Sequence, residues 1–133
     1  MPATEKAMII LIAGPYRSGT EDVATRMEEN LRALEKYALP LYEAGHLPMI
    51  GEWVALPIIR EGGSAGVGDA IYEKYLYPVA SRLLQRCDAV LRIPGESTGA
   101  DQDVAIARER GLPVYFKLED VPRVTVAQKG STA

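Results

Sequence analysis

The sequence predicts an α/β fold: a mostly parallel sheet of four or five strands with helices on both faces, three layers in all. Three observations carry this. Strand-length apolar runs alternate with helix-length amphipathic segments, the order that a parallel sheet with helical crossovers imposes. The first run, Met8 to Ala13, is apolar at every position and ends in Gly-Pro, as a strand covered on both faces requires. With 133 residues and 47% hydrophobic content, the chain is expected to close one core as a single domain over 1–133, centred on about 8–118, with a frayed tail over 119–133.

Taken in order, the loop G-P-Y-R-S-G-T follows the first strand. Ser18 and Glu21 then have capping-box spacing, and Val23, Met27, Leu31, Leu34, Ala38 and Leu41 recur at helical intervals, so one helix is expected up to Gly45. Leu47 to Ile50 reads as a short strand, whereas W-V-A-L-P-I-I after it has no clear period and stays unassigned. Residues 60–68 hold four glycines and read as a mobile loop or lid. Asp69 can cap the next helix, whose stripe of Ile71, Tyr75, Val79 and Leu83 is interrupted by Pro78, where a kink is expected. Asp88 to Ile93 reads as a strand, Thr98 to Arg110 as a helix and Pro113 to Lys117 as a strand; V-T-V at 124–126 can add an edge strand. The architecture is Rossmann-like or flavodoxin-like. Such folds bind ligands beyond the carboxyl ends of their strands, which singles out the loops after Ala13 and Ile93.

Composition narrows the function. A formal charge of −3 without a Lys/Arg block disfavours a nucleic-acid polymer or an anionic membrane as partner. One cysteine excludes an internal disulfide, and a single histidine leaves no zinc-ligand spacing, so a cytoplasmic, metal-free protein is expected. The apolar run at residues 7–14 is too short to span a bilayer.

In the first loop, amides at a helix start beside Arg17, Ser18 and Thr20 suit a phosphate or carboxylate, while a tight turn with a solvated Arg17 fits the same spacing. It is neither a Walker loop nor G-x-G-x-x-G. In the second loop, Thr98 as N-cap would put Asp101 at the third helical position, bonding back to the cap. Asp103 falls on the margin of the stripe Ala100, Val104 and Ala107, either as a solvated rim residue or as a positioned carboxylate. Tyr16 and Trp53 can contact a sugar or base, or simply pack. Glu52, Asp69 and Glu73 are further acids that either serve a ligand or sit on the surface. His46, in an A-G-H turn, is expected to be exposed; Asp88 to bond nearby backbone; Cys87 to fill space; and Tyr72, Tyr75 and Tyr77 to pack or contact another subunit.

Two segments, I-A-G-P-Y-R-S-G-T-E-D and C-D-A-V-L-R-I-P-G-E-S-T-G-A-D-Q-D-V-A-I-A-R-E-R-G-L-P-V-Y, resemble the nucleoside 2-deoxyribosyltransferase superfamily, especially its 2′-deoxynucleoside 5′-phosphate N-hydrolase branch. The resemblance spans roughly residues 8 to 117 and places Ser97, Gly99, Asp103, Ala107, Gly111 and Pro113 on recurring family positions. It implies that Asp103 stands where the family has a nucleophilic glutamate. It also implies that Arg17, Ser97 and Gly99, with Gly14, Tyr16, Ser18 and Thr98 around them, hold the phosphate or sugar end of a nucleotide or nucleoside. Glu52, Trp53 and Asp69 become candidates for a base contact or proton donor, and a homodimer is implied. The chain departs from the family in carrying aspartate, one methylene shorter, at 103, and Ala80 where phosphohydrolase members carry an aspartate. The resulting expectation is an N-glycosidase-like enzyme, whose chemistry as the resemblance implies it requires no metal or organic cofactor. A catalytically silent nucleotide-binding sensor and an interaction domain without a ligand are the alternatives.

Overall fold

A computed structural model describes residues 3, 4 and 6–125. The elements run β1 (Ala3–Thr4), β2 (Ile9–Ala13), α1 (Ala24–Glu35), α2 (Ala38–Glu43), β3 (Leu47–Met49), α3 (Gly51–Glu61), α4 (Ala70–Leu84), β4 (Ala89–Arg92), α5 (Thr98–Glu109), β5 (Val114–Tyr115), a 3-10 turn (Leu118–Asp120) and β6 (Arg123–Val124). Four strands form an all-parallel sheet in the order β3-β2-β4-β5, with Ile9 opposite Leu47, Ile10 opposite Ala89 and Val90 opposite Val114. This is the expected three-layer α/β sandwich.

Period-two alternation sorts the central strands onto two faces. Ile10 and Ile12 of β2 join Leu34, Leu41, Ile50, Leu91 and Ile93 in one core, while Leu11 and Ala13 face Leu84, Val90, Ala100 and Ala107 in the other. Helices α1 and α2 therefore cover one face, and α4 and α5 the opposite one. Because the chain leaves β2 toward β3 on one side and β4 toward β5 on the other, the loops after β2 and β4 part at their carboxyl ends. That is the topological switch point where ligands enter such sheets.

The expected single helix from Ser18 to Gly45 is instead two. Pro40 lacks an N–H and would clash with the carbonyl four residues earlier in a continuous helix, but at the third position of α2 it forfeits nothing. The Ser18–Glu21 capping box does not form: α1 starts at Ala24 with Val23 as N-cap, because Gly19, Glu21 and Asp22 take φ of 74°, 51° and 60°. Gly45, at φ 100°, does end the pair. The unassigned W-V-A-L-P-I-I segment is helical within α3, where Ala55 and Ile59 bury against Tyr72, and α4 continues through Pro78 to Leu84. The last predicted strand shortens to Val114–Tyr115, and the V-T-V segment contributes Val124 to a separate parallel pair with β1. Its last residue and the tail at 126–133 lie outside the described residues.

His46 corrects another expectation. It is buried at 3% exposure, because its ring bridges two backbone segments: Nδ1 accepts from the Met8 N–H at 3.0 Å, and Nε2 donates to the Pro122 carbonyl at 2.6 Å. Asp88 does bond nearby backbone, accepting from the Ile9 N–H at 2.9 Å, and Cys87 is buried as filler with its thiol pushed up to about 11, chiefly by burial. Among the described residues, no helix is long and apolar enough to cross a membrane.

Candidate active site at the carboxyl ends of the strands

A cleft of about 440 Å³ opens at the carboxyl ends of β2, β3 and β4, within the range of small-molecule sites. The loop after β2, the start of α3, the middle of α4 and the first half of α5 wall it. Of the residues expected in the site, Gly14, Tyr16, Arg17, Ser18, Glu52, Ser97, Thr98, Gly99 and Asp103 line this one space. Ala80 lines it too.

Two of the expected contacts lie elsewhere. Trp53 is 38% exposed and donates its indole N–H to Glu35 at 2.7 Å, because helical rotation by one residue from Glu52 turns it from the cleft toward α1. Asp69 is spent on structure. It caps α4 by accepting from the Tyr72 N–H at 2.8 Å and also accepts from Ser64 Oγ (2.9 Å), Ala65 N (2.8 Å) and Gly66 N (3.3 Å), which ties down the glycine-rich segment expected as a lid. These bonds hold its carboxyl below the usual range.

Ser97, rather than Thr98, is the N-cap of α5, accepting from the Ala100 N–H at 3.1 Å. Asp101 does not bond back to the cap: it accepts from Arg92 Nη2 at 3.0 Å, and Arg92 also donates to the carbonyls of Ile93 and, at 2.8 Å, Gly95. Arg92, with a side chain only 10% exposed, thereby organises the loop from beneath. Asp103, two residues on, turns into the cleft, half-buried. Burial first, with the Glu52 charge adding and Arg92 opposing, pushes its carboxyl up to about 7. Burial raises Glu52 as well. The cleft thus holds two carboxyls that resist ionising together.

On the opposite wall, Asn30 Nδ2 donates to the Tyr16 carbonyl at 2.8 Å and fixes the first loop. The Thr20 hydroxyl, considered with the anion-binding groups, turns inward to donate to the Arg17 carbonyl and is 2% exposed. Arg17 reaches along the cleft, but its guanidinium is already paired with Asp22 and Glu73.

Sequence reading missed Tyr72 as a site residue. It lines the cleft, is 2% exposed, and its hydroxyl is buried without a hydrogen-bond partner among the described residues; burial, then neighbouring Tyr16, pushes that hydroxyl up to about 12, so it stays a donor. Its only sequence signal was its place three residues after the Asp69 cap. We expect Tyr72→Phe to leave the ligand-free protein as stable or up to about 1 kcal/mol more stable, since an unpaired buried hydroxyl is lost, and to weaken ligand binding. Melting curves with and without nucleoside read both effects.

Gly14 shapes the cleft by close approach. A Cβ there would collide with Ile93 Cγ1 and lie 2.9 Å from both Ile93 Cδ1 and Leu34 Cδ2. Gly14→Ala is expected to cost about 1–3 kcal/mol by overpacking, seen as a lower urea midpoint with an unchanged slope.

Among the described residues, no three His, Cys, Asp or Glu side chains gather into a metal-binding group. No family model and no curated protein matches the chain. Among solved structures, it is similar in fold to a 2-deoxyribosyltransferase from the psychrotolerant bacterium Bacillus psychrosaccharolyticus, described as a biocatalyst for nucleoside synthesis. The TM-score is 0.57 and the identity 16%, over 90% of this chain and 80% of that one.

Proposed function

We propose that the protein is an N-glycosidase-like enzyme that cleaves or transfers the base of a nucleoside or nucleoside 5′-monophosphate, with Asp103 as nucleophile. The observation that carries this is the half-buried Asp103 carboxyl in a ligand-sized cleft, facing the loop of Tyr16 and Arg17 and poised to titrate near neutrality. The likeness in fold to a 2-deoxyribosyltransferase supports the same chemistry.

In the first step, an ionised Asp103 oxygen bonds to the anomeric carbon as the bond to the base nitrogen breaks, and the electron pair leaves with the base. Glu52, whose carboxyl is raised by burial and which lines the same cleft, is the candidate donor to that nitrogen. Water then displaces Asp103 to complete hydrolysis, or a second base does so to complete transfer. Ser97, Thr98 and Gly99 at the start of α5, with Ser18 across the cleft, are the proposed sugar contacts.

The experiment is incubation with a panel of ribonucleosides, 2′-deoxynucleosides and their 5′-monophosphates, with free base followed by chromatography. Base release is expected, and its absence across the panel overturns the reading. A turnover-free nucleoside sensor is the second reading, favoured by the short Asp103 side chain. It predicts ligand-dependent thermal stabilisation without base release.

A further inference from the structure

The loop after β2 takes an unusual path to bring Asp22 onto Arg17. Glu21 and Asp22 both adopt left-handed backbone, with φ of 51° and 60°, a conformation uncommon for residues other than glycine, though Asp accepts it better than most. The result is a two-pronged ion pair: Arg17 Nε to Asp22 Oδ1 at 2.7 Å and Nη2 to Oδ2 at 3.1 Å. A second carboxylate, Glu73 on α4, accepts from Nη1 at 3.1 Å. The guanidinium is crowded by other groups too. Its central carbon lies 5.5 Å from the Tyr72 ring centroid, and Gly68 approaches so closely that a Cβ there would sit 2.5 Å from Nη2.

Arg17 thus bridges the first loop and α4 beside the cleft, within a group of one cation and two anions. Asp22 is ionised, its carboxyl held below the usual range chiefly by its bond to Arg17. Glu21, Glu52 and Asp103 add further acids to the lining, and among the described residues Arg17 is the sole Lys or Arg that lines it. A phosphomonoester carries about −1.5 to −2 charges at neutral pH, so it would have to take Arg17 from partners already in place and sit beside two carboxylates.

We propose that Asp22 and Glu73 are specificity determinants: by neutralising Arg17 they make this end of the cleft reject a phosphate and accept the uncharged 5′-hydroxyl of a free nucleoside. The nucleoside half rests on the function proposed above; the phosphate half does not. Asp22→Asn keeps the side-chain shape and suits the same backbone conformation, so Asp22→Asn/Glu73→Gln removes two charges with little change of form.

The test compares binding of 2′-deoxynucleosides, their 5′-monophosphates and inorganic phosphate to the wild type, to this double variant and to the double variant with Arg17→Gln added, by calorimetry and thermal shift. Wild type is expected to bind a nucleoside at least about tenfold more tightly than its monophosphate, and the double variant to reverse that order. The gain, for monophosphate and inorganic phosphate alike, is expected to vanish when Arg17 is replaced. A wild type that prefers the monophosphate, or a folded double variant with no Arg17-dependent gain for phosphate, overturns the proposal. If no nucleoside binds any variant but inorganic phosphate binds the double variant through Arg17, the nucleoside reading falls and the anion-rejecting role of the two acids stands.

Discussion

Asp103→Asn is expected to abolish base release, lowering turnover about a thousandfold or more while leaving nucleoside binding within a few-fold of wild type. The amide matches the carboxylate in shape but cannot form the glycosyl ester, so the loss falls on the chemical step. Wild-type activity should also carry the signature of this carboxyl. A nucleophile must be ionised, and Asp103 titrates at about 7, so kcat/KM is expected to climb as pH rises through neutrality, where an ordinary aspartate would already give a plateau by about pH 5. Stopped assays from pH 5 to 9 read the profile. A flat profile over that range, or an Asp103→Asn variant with wild-type turnover, removes Asp103 from the chemistry.

The same substitution is expected to stabilise the fold at alkaline pH, by on the order of 2–4 kcal/mol at pH 8. In the unfolded chain Asp103 ionises near its ordinary value of 3.8, whereas in the folded protein it holds its proton up to about 7. Between those values the native state binds the extra proton, so stability falls as pH rises. Below about 4 the residue contributes no pH dependence, and above about 7 the full penalty of a buried carboxylate is in place. Burial is the first cause and the Glu52 charge the second, so removing the carboxylate also relieves Glu52, whose own raised titration has the same sign. Urea unfolding of wild type and Asp103→Asn at pH 4 and pH 8 should show curves that nearly coincide at the lower pH and separate at the higher. Equal separation at both would mean that the side-chain oxygens are solvated.

Much of this was legible in the residues, because the signals that held are local. An unbroken apolar run such as Met8 to Ala13 can be buried on both faces only as a central strand, and Ala100, Val104 and Ala107 mark the buried side of α5 by spacing alone. Asp69 was readable as a cap for the same reason. Periodicity put Asp103 on the edge of that stripe without saying whether water or protein lies beside it. Burial in a cleft walled by α3, α4 and the loop after β2 settles that, and no spacing within α5 can report it. The Ser18–Glu21 spacing misled because Glu21 and Asp22 take left-handed backbone, which carries Asp22 onto Arg17 and delays the helix to Ala24. His46 looked exposed in its turn because the carbonyl of Pro122 that buries it lies 76 residues on. Arg92 went unread and Tyr72 was read only as packing or a subunit contact, because their places beneath one loop and beside another exist only once the helices have packed.

The most direct test of Asp103 as nucleophile is mass spectrometry of the protein quenched in acid during turnover of a 2′-deoxynucleoside, followed by peptide mapping. A deoxyribosyl adduct is expected on the peptide containing Asp103, assigned to that side chain and absent from Asp103→Asn. Base release with no adduct at Asp103, or with the sugar carried instead by Glu52, would contradict it.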